Sequence, residues 1–160
     1  MIDVGTILRG IRPYVLGWMG IWQTYTPTWA AATTLPVLGN GILTGKYIIR
    51  PGGTCLVRIY LAIGSTSTMG MGSWTFSLPM AVADDVVNTM GLAQIKDISA
   101  GANYPRLAVL VPNDSVVQYF VQFNDGNTVA ASLTATAPFT WATNDYMHVS
   151  AEYPVGDGSW

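Results

Sequence analysis

The chain has 160 residues, enough for one domain with its own core, and only 10% of them are charged, against roughly a quarter in an average soluble domain. Half are hydrophobic, and the net charge is −2 with no basic run, which excludes the electrostatic footprint of a nucleic-acid binder. A surface so poor in charge points to cover by copies of the chain or by a larger partner.

In chain order, Val4, Ile7, Leu8, Ile11 and Val15 fall at helical spacing, with Asp3 placed to cap the start. Val4, Ile7, Ile11, Tyr14 and Trp18 also fit a heptad, but Pro13 removes one helix hydrogen bond. The pattern predicts a short N-terminal helix or extended arm ending near Arg12. Residues 1–21 read as an anchoring arm, with Val4, Ile7, Ile11, Tyr14 and Trp18 as the anchor to a larger assembly. Asp3, Arg9, Arg12 and Pro13 interrupt this stretch, so it does not read as a membrane span, and no membrane insertion is expected. Arg9 and Arg12 also stand late for a secretory signal.

From Trp22 onward the pattern is of strands. "ILTGKYIIR" follows a "GNG" turn at Gly39–Gly41. "TCLVRIYLAIG" alternates Val57, Ile59, Leu61 and Ile63 against Leu56, Arg58, Tyr60 and Ala62. "SWTFSLP" puts Trp74, Phe76 and Leu78 on one face. "RLAVLVP" and "SVVQYFVQF" flank the turn cluster Pro112–Asn113–Asp114 and read as a hairpin. "DYMHVSAEY" turns Met147, Val149, Ala151 and Tyr153 one way. The fold class is all-β, a jelly-roll sandwich of about eight to ten strands over residues 22–160.

Several strands are apolar on both faces, where the outer row of a monomeric sandwich is polar. This predicts a sheet buried against neighbouring subunits. Leu56, Arg58 and Tyr60 on one strand, and Val116, Gln118 and Phe120 on another, are the candidate subunit-interface residues.

The glycine-rich "GSTSTMGMGSWTFSLP" at 64–79 lacks the G-x-x-x-x-G-K-[ST] spacing of a phosphate loop and runs into a strand, so it reads as a β-connection. It also lacks the G-x-S-x-G of a nucleophile elbow. His148 is the single histidine and sits in a polar row with Tyr146, Ser150 and Glu152. Only a three-fold assembly could gather several copies of it round an ion. Asp84–Asp85 reads as a solvated loop pair rather than a glycosidase pair. Cys55 stands alone and reads as a small buried hydrophobe. Trp74 and Trp141 read as core, and Trp22 and Trp29 as packing on the end of the barrel, while exposed aromatics beside Asn or Asp are candidates for stacking on sugar rings. No catalytic set, metal site or cofactor is expected.

"YTPTW" at 25–29, "LGNGILTGKY" at 38–47, "GSTSTMGMGSWTFSLP" at 64–79 and "APFTWATNDYMHVSAEY" at 137–153 together resemble a β-domain of minor tail proteins and tail-fibre tips of tailed bacteriophages. The resemblance covers roughly residues 22–153. It implies a jelly roll like the globular heads of complement and tumour-necrosis-factor proteins, assembled as a homotrimer. By that resemblance the chain is a non-enzymatic virion-surface protein of the tail or fibre. Its implied partners are itself, a larger phage structural protein and a host surface glycan. In the family the domain often ends a longer fibre, whereas here it starts near Met1. That leaves a capsid decoration, or cement, protein docked through residues 1–21 as the alternative.

Overall fold

The computed structural model describes residues 4–83, 89–110, 116–124, 127–130 and 132–155, with side chains described for 11–83, 91–110 and 132–155. These form a helix, α1 (Val4–Trp18), followed by ten strands. The strands are β1 (Gln23–Tyr25), β2 (Trp29–Ala31), β3 (Ile42–Arg50), β4 (Thr54–Ala62) and β5 (Trp74–Ser77). After them come β6 (Thr89–Asp97), β7 (Ala102–Leu110), β8 (Val116–Asn124), β9 (Asn127–Ala130) and β10 (Tyr146–Pro154). The protein is all-β with a short N-terminal helix, as the alternation of its strands predicts.

The helix does not stop near Arg12 as expected but continues through Pro13 to Trp18. Proline costs a helix one hydrogen bond, and tertiary packing offsets that loss. Here α1 packs on β3: Gly17 is buried against the Ile49 backbone, where a methyl group would collide with the Ile49 carbonyl. The Gln23 side-chain amide also donates to the Pro13 carbonyl at 3.1 Å. The helix ends where Gly20 turns left-handed at φ 73°. The Ile21 N–H then donates to the Leu16 carbonyl and the Gly20 N–H to the Gly17 carbonyl, each at 2.9 Å. A side chain at Gly20 would be strained in this closing motif.

All strand pairs are antiparallel, and they link into a ten-stranded sheet in the order β1-β3-β4-β10-β6-β7-β8-β5-β2, with β9 paired to β8 off that path. The pairings β4–β10, β5–β8 and β6–β7 nest inside one another, as in a long hairpin wound on itself. Strands β1 and β2 stand at opposite ends of this order, yet only residues 26–28 separate them in the chain. The sheet therefore curls until its two ends meet. Ser77 of β5 extends the β2–β5 ladder into this short link: its Oγ accepts from the Thr28 N–H at 2.7 Å, and its own N–H donates to the Thr28 carbonyl at 3.0 Å.

The rows that face inward follow the alternation. Cys55, Val57, Ile59 and Leu61 of β4 and Met147, Val149, Ala151 and Tyr153 of β10 are buried together. Across the core lie Trp29, Trp74 and Phe76 from β2 and β5. The Trp29 and Trp74 rings meet edge to face at 4.8 Å, and Trp141 adds a third indole 5.0 Å from Trp74. Trp29 is thus part of the core rather than a cover on the end of the barrel. Burial of these large rings accounts for much of the apolar area removed from water. Arg106 is buried opposite Ala93, where desolvation lowers the pKa of its guanidinium, and its charge lies 5.8 Å from the Tyr104 ring.

Strand β6 was not apparent in the sequence. Its inward row is Gly91, Ala93 and Ile95, and position 91 is a glycine because Ala151 of β10 fills the space a methyl there would need. Its outward Leu92 is 69% exposed, so the apolar pattern points the wrong way.

Candidate interaction surface

The outward rows of β3, β4, β10, β6 and β7 form one continuous face whose levels follow from strand register. Leu56 pairs with Ile48 on one side and Glu152 on the other, at the level nearest α1. Arg58 and Leu92 both pair with Ser150 and so share the middle level, with Lys46 beyond Arg58 and Leu107 beyond Leu92. Tyr60, His148, Gln94 and Pro105 form the next level. Ile42, Ala62, Tyr146 and Lys96 lie closest to the loops that follow β4 and precede β10.

Part of the apolar second face has a cause within the chain. Ile48 is on the outward row yet only 7% exposed, with α1 packed on β3. Trp22, just after α1, lies over the Arg58 guanidinium at 4.8 Å, a cation–π contact that leaves Arg58 exposed. Elsewhere the face is open: Leu92 and Ile42 (52% exposed) project from it. Tyr60, Tyr146 and His148 make a half-exposed aromatic group, with the Tyr60 and His148 rings 4.6 Å apart. Arg50 and Glu152 pair at 3.1 Å, but both are about half exposed and contribute little stability.

Of the six candidate interface residues, Leu56, Arg58 and Tyr60 stand side by side on this face. Val116, Gln118 and Phe120 lie on β8, and their side chains are outside the described residues. Along β8 the register shifts: Val116 stands opposite Ser77, Phe120 opposite Ala108, and Gln118 falls at the irregularity between them. Alternation read from sequence does not carry through such a shift, because an extra residue moves the following positions to the other face.

Of the candidate anchor residues, Val4 and Ile7 lie outside the described side chains. Ile11 and Trp18 are 47% and 71% exposed, and with Val15 they form an apolar stripe at i, i+4, i+7 on α1, continued by Met19. Tyr14 is half-buried. Among the described residues no helix is long and apolar enough to cross a membrane. His148 is exposed in its polar row, and Asp84–Asp85 lies outside the described residues. No three described His, Cys, Asp or Glu side chains gather as metal ligands.

The 64–79 stretch is a set of connections ending in β5. Thr68 bridges to Val37 and Met71 to Thr34, and the Trp74 indole N–H donates to the Met69 carbonyl at 3.0 Å. At its start, the Gly64 N–H donates to Ser67 Oγ at 2.9 Å, and the Ser67 hydroxyl donates to the Leu38 carbonyl. These bonds join the loops on either side of β3 and β4. Asp145 fixes the loop before β10: one carboxylate oxygen accepts from the Ile98 N–H at 2.9 Å, the other from the Ala142 N–H at 2.6 Å.

No family model and no solved structure matches the chain. The chain is similar to the Mu-like prophage FluMu defective tail fiber protein of Haemophilus influenzae, with 32% identity over 119 residues. The match takes in 74% of this chain but only 18% of that protein, so the chain spans less than a fifth of its relative's length. The likeness relates the chain to a prophage tail-fibre protein.

Proposed function

We propose that this chain is a non-enzymatic structural subunit of a bacteriophage tail fibre, a homotrimeric head at the virion surface that contacts the host. The observation that carries the trimer is the open outer face. A protein with few charges exposes Leu92 on one sheet beside the partly open Leu56 and Leu107. Apolar projections on one face, with Arg58 and Glu152 standing among them and Lys46 beside Arg58, make a surface patch suited to cover by a partner subunit. The likeness to a tail-fibre protein supports the structural role. The rolled sheet with nested pairings is compatible with the jelly-roll heads that the quoted motifs resemble.

The α1 stripe of Ile11, Val15 and Trp18 serves, in this reading, to dock the head onto a larger phage structural protein. Sedimentation of the purified chain tests the assembly. A species about three times the 17.2 kDa chain mass is expected, and a stable monomer at micromolar concentration refutes it. Copy counting in intact particles tests the location. A few copies per particle fit a tail fibre; hundreds would transfer the protein to the capsid shell as a decoration subunit.

A further inference from the structure

At the loop end of the outer face the connections before β3, after β4 and before β10 enclose a cleft of about 430 Å³. Asn40, Ile42, Tyr60, Ser65, Thr143 and Asn144 line it, and none of its lining residues carries a charge. Small-molecule sites run from about 300 to 1,000 Å³ and combine an apolar surface with a few fixed polar groups.

The polar rim is held in place from within. Asn40 donates its backbone N–H to Thr66 Oγ1 at 2.9 Å and its side-chain amide to Ser65 Oγ at 3.0 Å. The Asn40 side-chain Oδ1 accepts in turn from the Thr66 N–H at 2.9 Å and the Thr66 hydroxyl at 3.0 Å. On the opposite wall the Asn144 N–H donates to the Ile63 carbonyl at 2.8 Å, with Asn144 itself at φ 75°. Asparagine tolerates that left-handed conformation better than most residues, but it still carries a cost that recurs at binding sites. Among the described residues the Tyr60 and Thr143 hydroxyls and the Asn144 side-chain amide have no hydrogen-bond partner. The cleft therefore offers a rigid frame, an aromatic ring and three unused donor–acceptor groups.

We propose that this cleft binds a neutral hexopyranose unit of a host surface glycan. The absence of cationic side chains disfavours phosphate and sialic acid, and the absence of carboxylates disfavours cations. A neutral sugar presents hydroxyls that both donate and accept, which amides and hydroxyls match, and a C–H face that packs on an aromatic ring. Because the rim backbone and Asn40 are fixed before binding, the ordering cost of association falls on the exposed Thr143 and Asn144 side chains alone. The inference deepens the host-contact reading and rests on it.

The test applies the full chain to an array of neutral and anionic oligosaccharides, in parallel with adhesion to a panel of bacterial strains. Neutral hexose-containing glycans are expected to be retained and to be displaced by free methyl glucoside, galactoside or mannoside. The variant T143A/N144G keeps a residue suited to the left-handed turn but removes both side-chain groups. It is expected to lose at least tenfold in retention at an unchanged melting temperature, and T143A alone is expected to lose part of it. No retention of neutral glycans, preference for anionic ones, or equal retention by the variants would overturn the cleft assignment. Adhesion to cells that the variants leave intact overturns the cleft while sparing host contact. Glycan retention with no adhesion to any strain overturns host contact alone.

Discussion

The Tyr25 hydroxyl donates to the Ser77 carbonyl at 3.2 Å, joining β1 to β5 across 52 residues of chain and closing the sheet on itself. Tyr25 stands opposite Gly45, and its ring occupies the space that a Gly45 methyl would need. The ring also meets Tyr47 edge to face at 5.9 Å. Burial first, and Cys55 second, raise the Tyr25 pKa, so the hydroxyl stays a donor into the alkaline range where a free tyrosine ionises. Tyr25→Phe keeps the packing and leaves the Ser77 carbonyl short of a partner, which costs about 1 kcal/mol. Gly45→Ala displaces the ring itself and costs more, about 1–3 kcal/mol. Urea unfolding of the two variants checks the order.

Asp145 is 1% exposed, and its two carboxylate oxygens are spent on two backbone N–H groups from separate loops. Asp145→Ala leaves the donors of Ile98 and Ala142 unpaired and removes two charge-assisted bonds, for a loss of about 3 kcal/mol. Asp145→Asn retains one acceptor and is expected to recover part of that loss. Denaturant midpoints at constant slope measure both. A cost below about 0.5 kcal/mol for the alanine variant would show that the loops hold each other without the clamp.

The sequence was most legible where alternation is regular. Strands β4, β5 and β10 bury Val57, Ile59, Leu61, Trp74, Phe76, Met147 and Val149 on the rows that period-two spacing assigns them. It was least legible where small residues or distant partners decide. Strand β6 hides because Gly91 and Ala93 face the core while Leu92 faces outward. The helix passes Pro13 because Gly17 can lie against the Ile49 backbone, a contact that no local propensity contains. The irregularity at Gln118 depends on how β8 meets β7. The cleft depends on folding alone to bring Asn40, Tyr60 and Asn144 together.

Cys55 is fully buried beside Tyr153, its cross-strand partner. Burial pushes its thiol up to about 11, against a lesser opposing effect of the Tyr153 hydrogen bond. The folded state thus holds this proton after the unfolded thiol, near 8.5, has released it. The associated stability is complete below pH ~8.5 and is lost as pH rises from there through about 11. Comparing the wild-type protein with Cys55→Ala between pH 7.5 and 10 isolates the effect from the buried tyrosines, which titrate later. The stability gap between the two is expected to narrow as pH rises. In the native protein at pH 8 the thiol is expected to react with a disulfide reagent far more slowly than after unfolding.

Leu92 tests the outer face without touching the core. It is 69% exposed, shares the middle level with Arg58 through Ser150, and projects beside Leu107. On a free surface Leu92→Arg changes monomer stability by less than about 0.5 kcal/mol. In a three-fold interface the same change buries a new cation near each copy of Arg58 with no carboxylate opposite Leu92 in either neighbouring strand. The cost of an unpaired buried charge exceeds what one apolar side chain contributes, so the trimer is expected to dissociate. Sedimentation would then show single chains with an unaltered far-ultraviolet circular dichroism spectrum. A variant that stays trimeric places the contact elsewhere, and the next face to test is the Ile11–Val15–Trp18 stripe of α1.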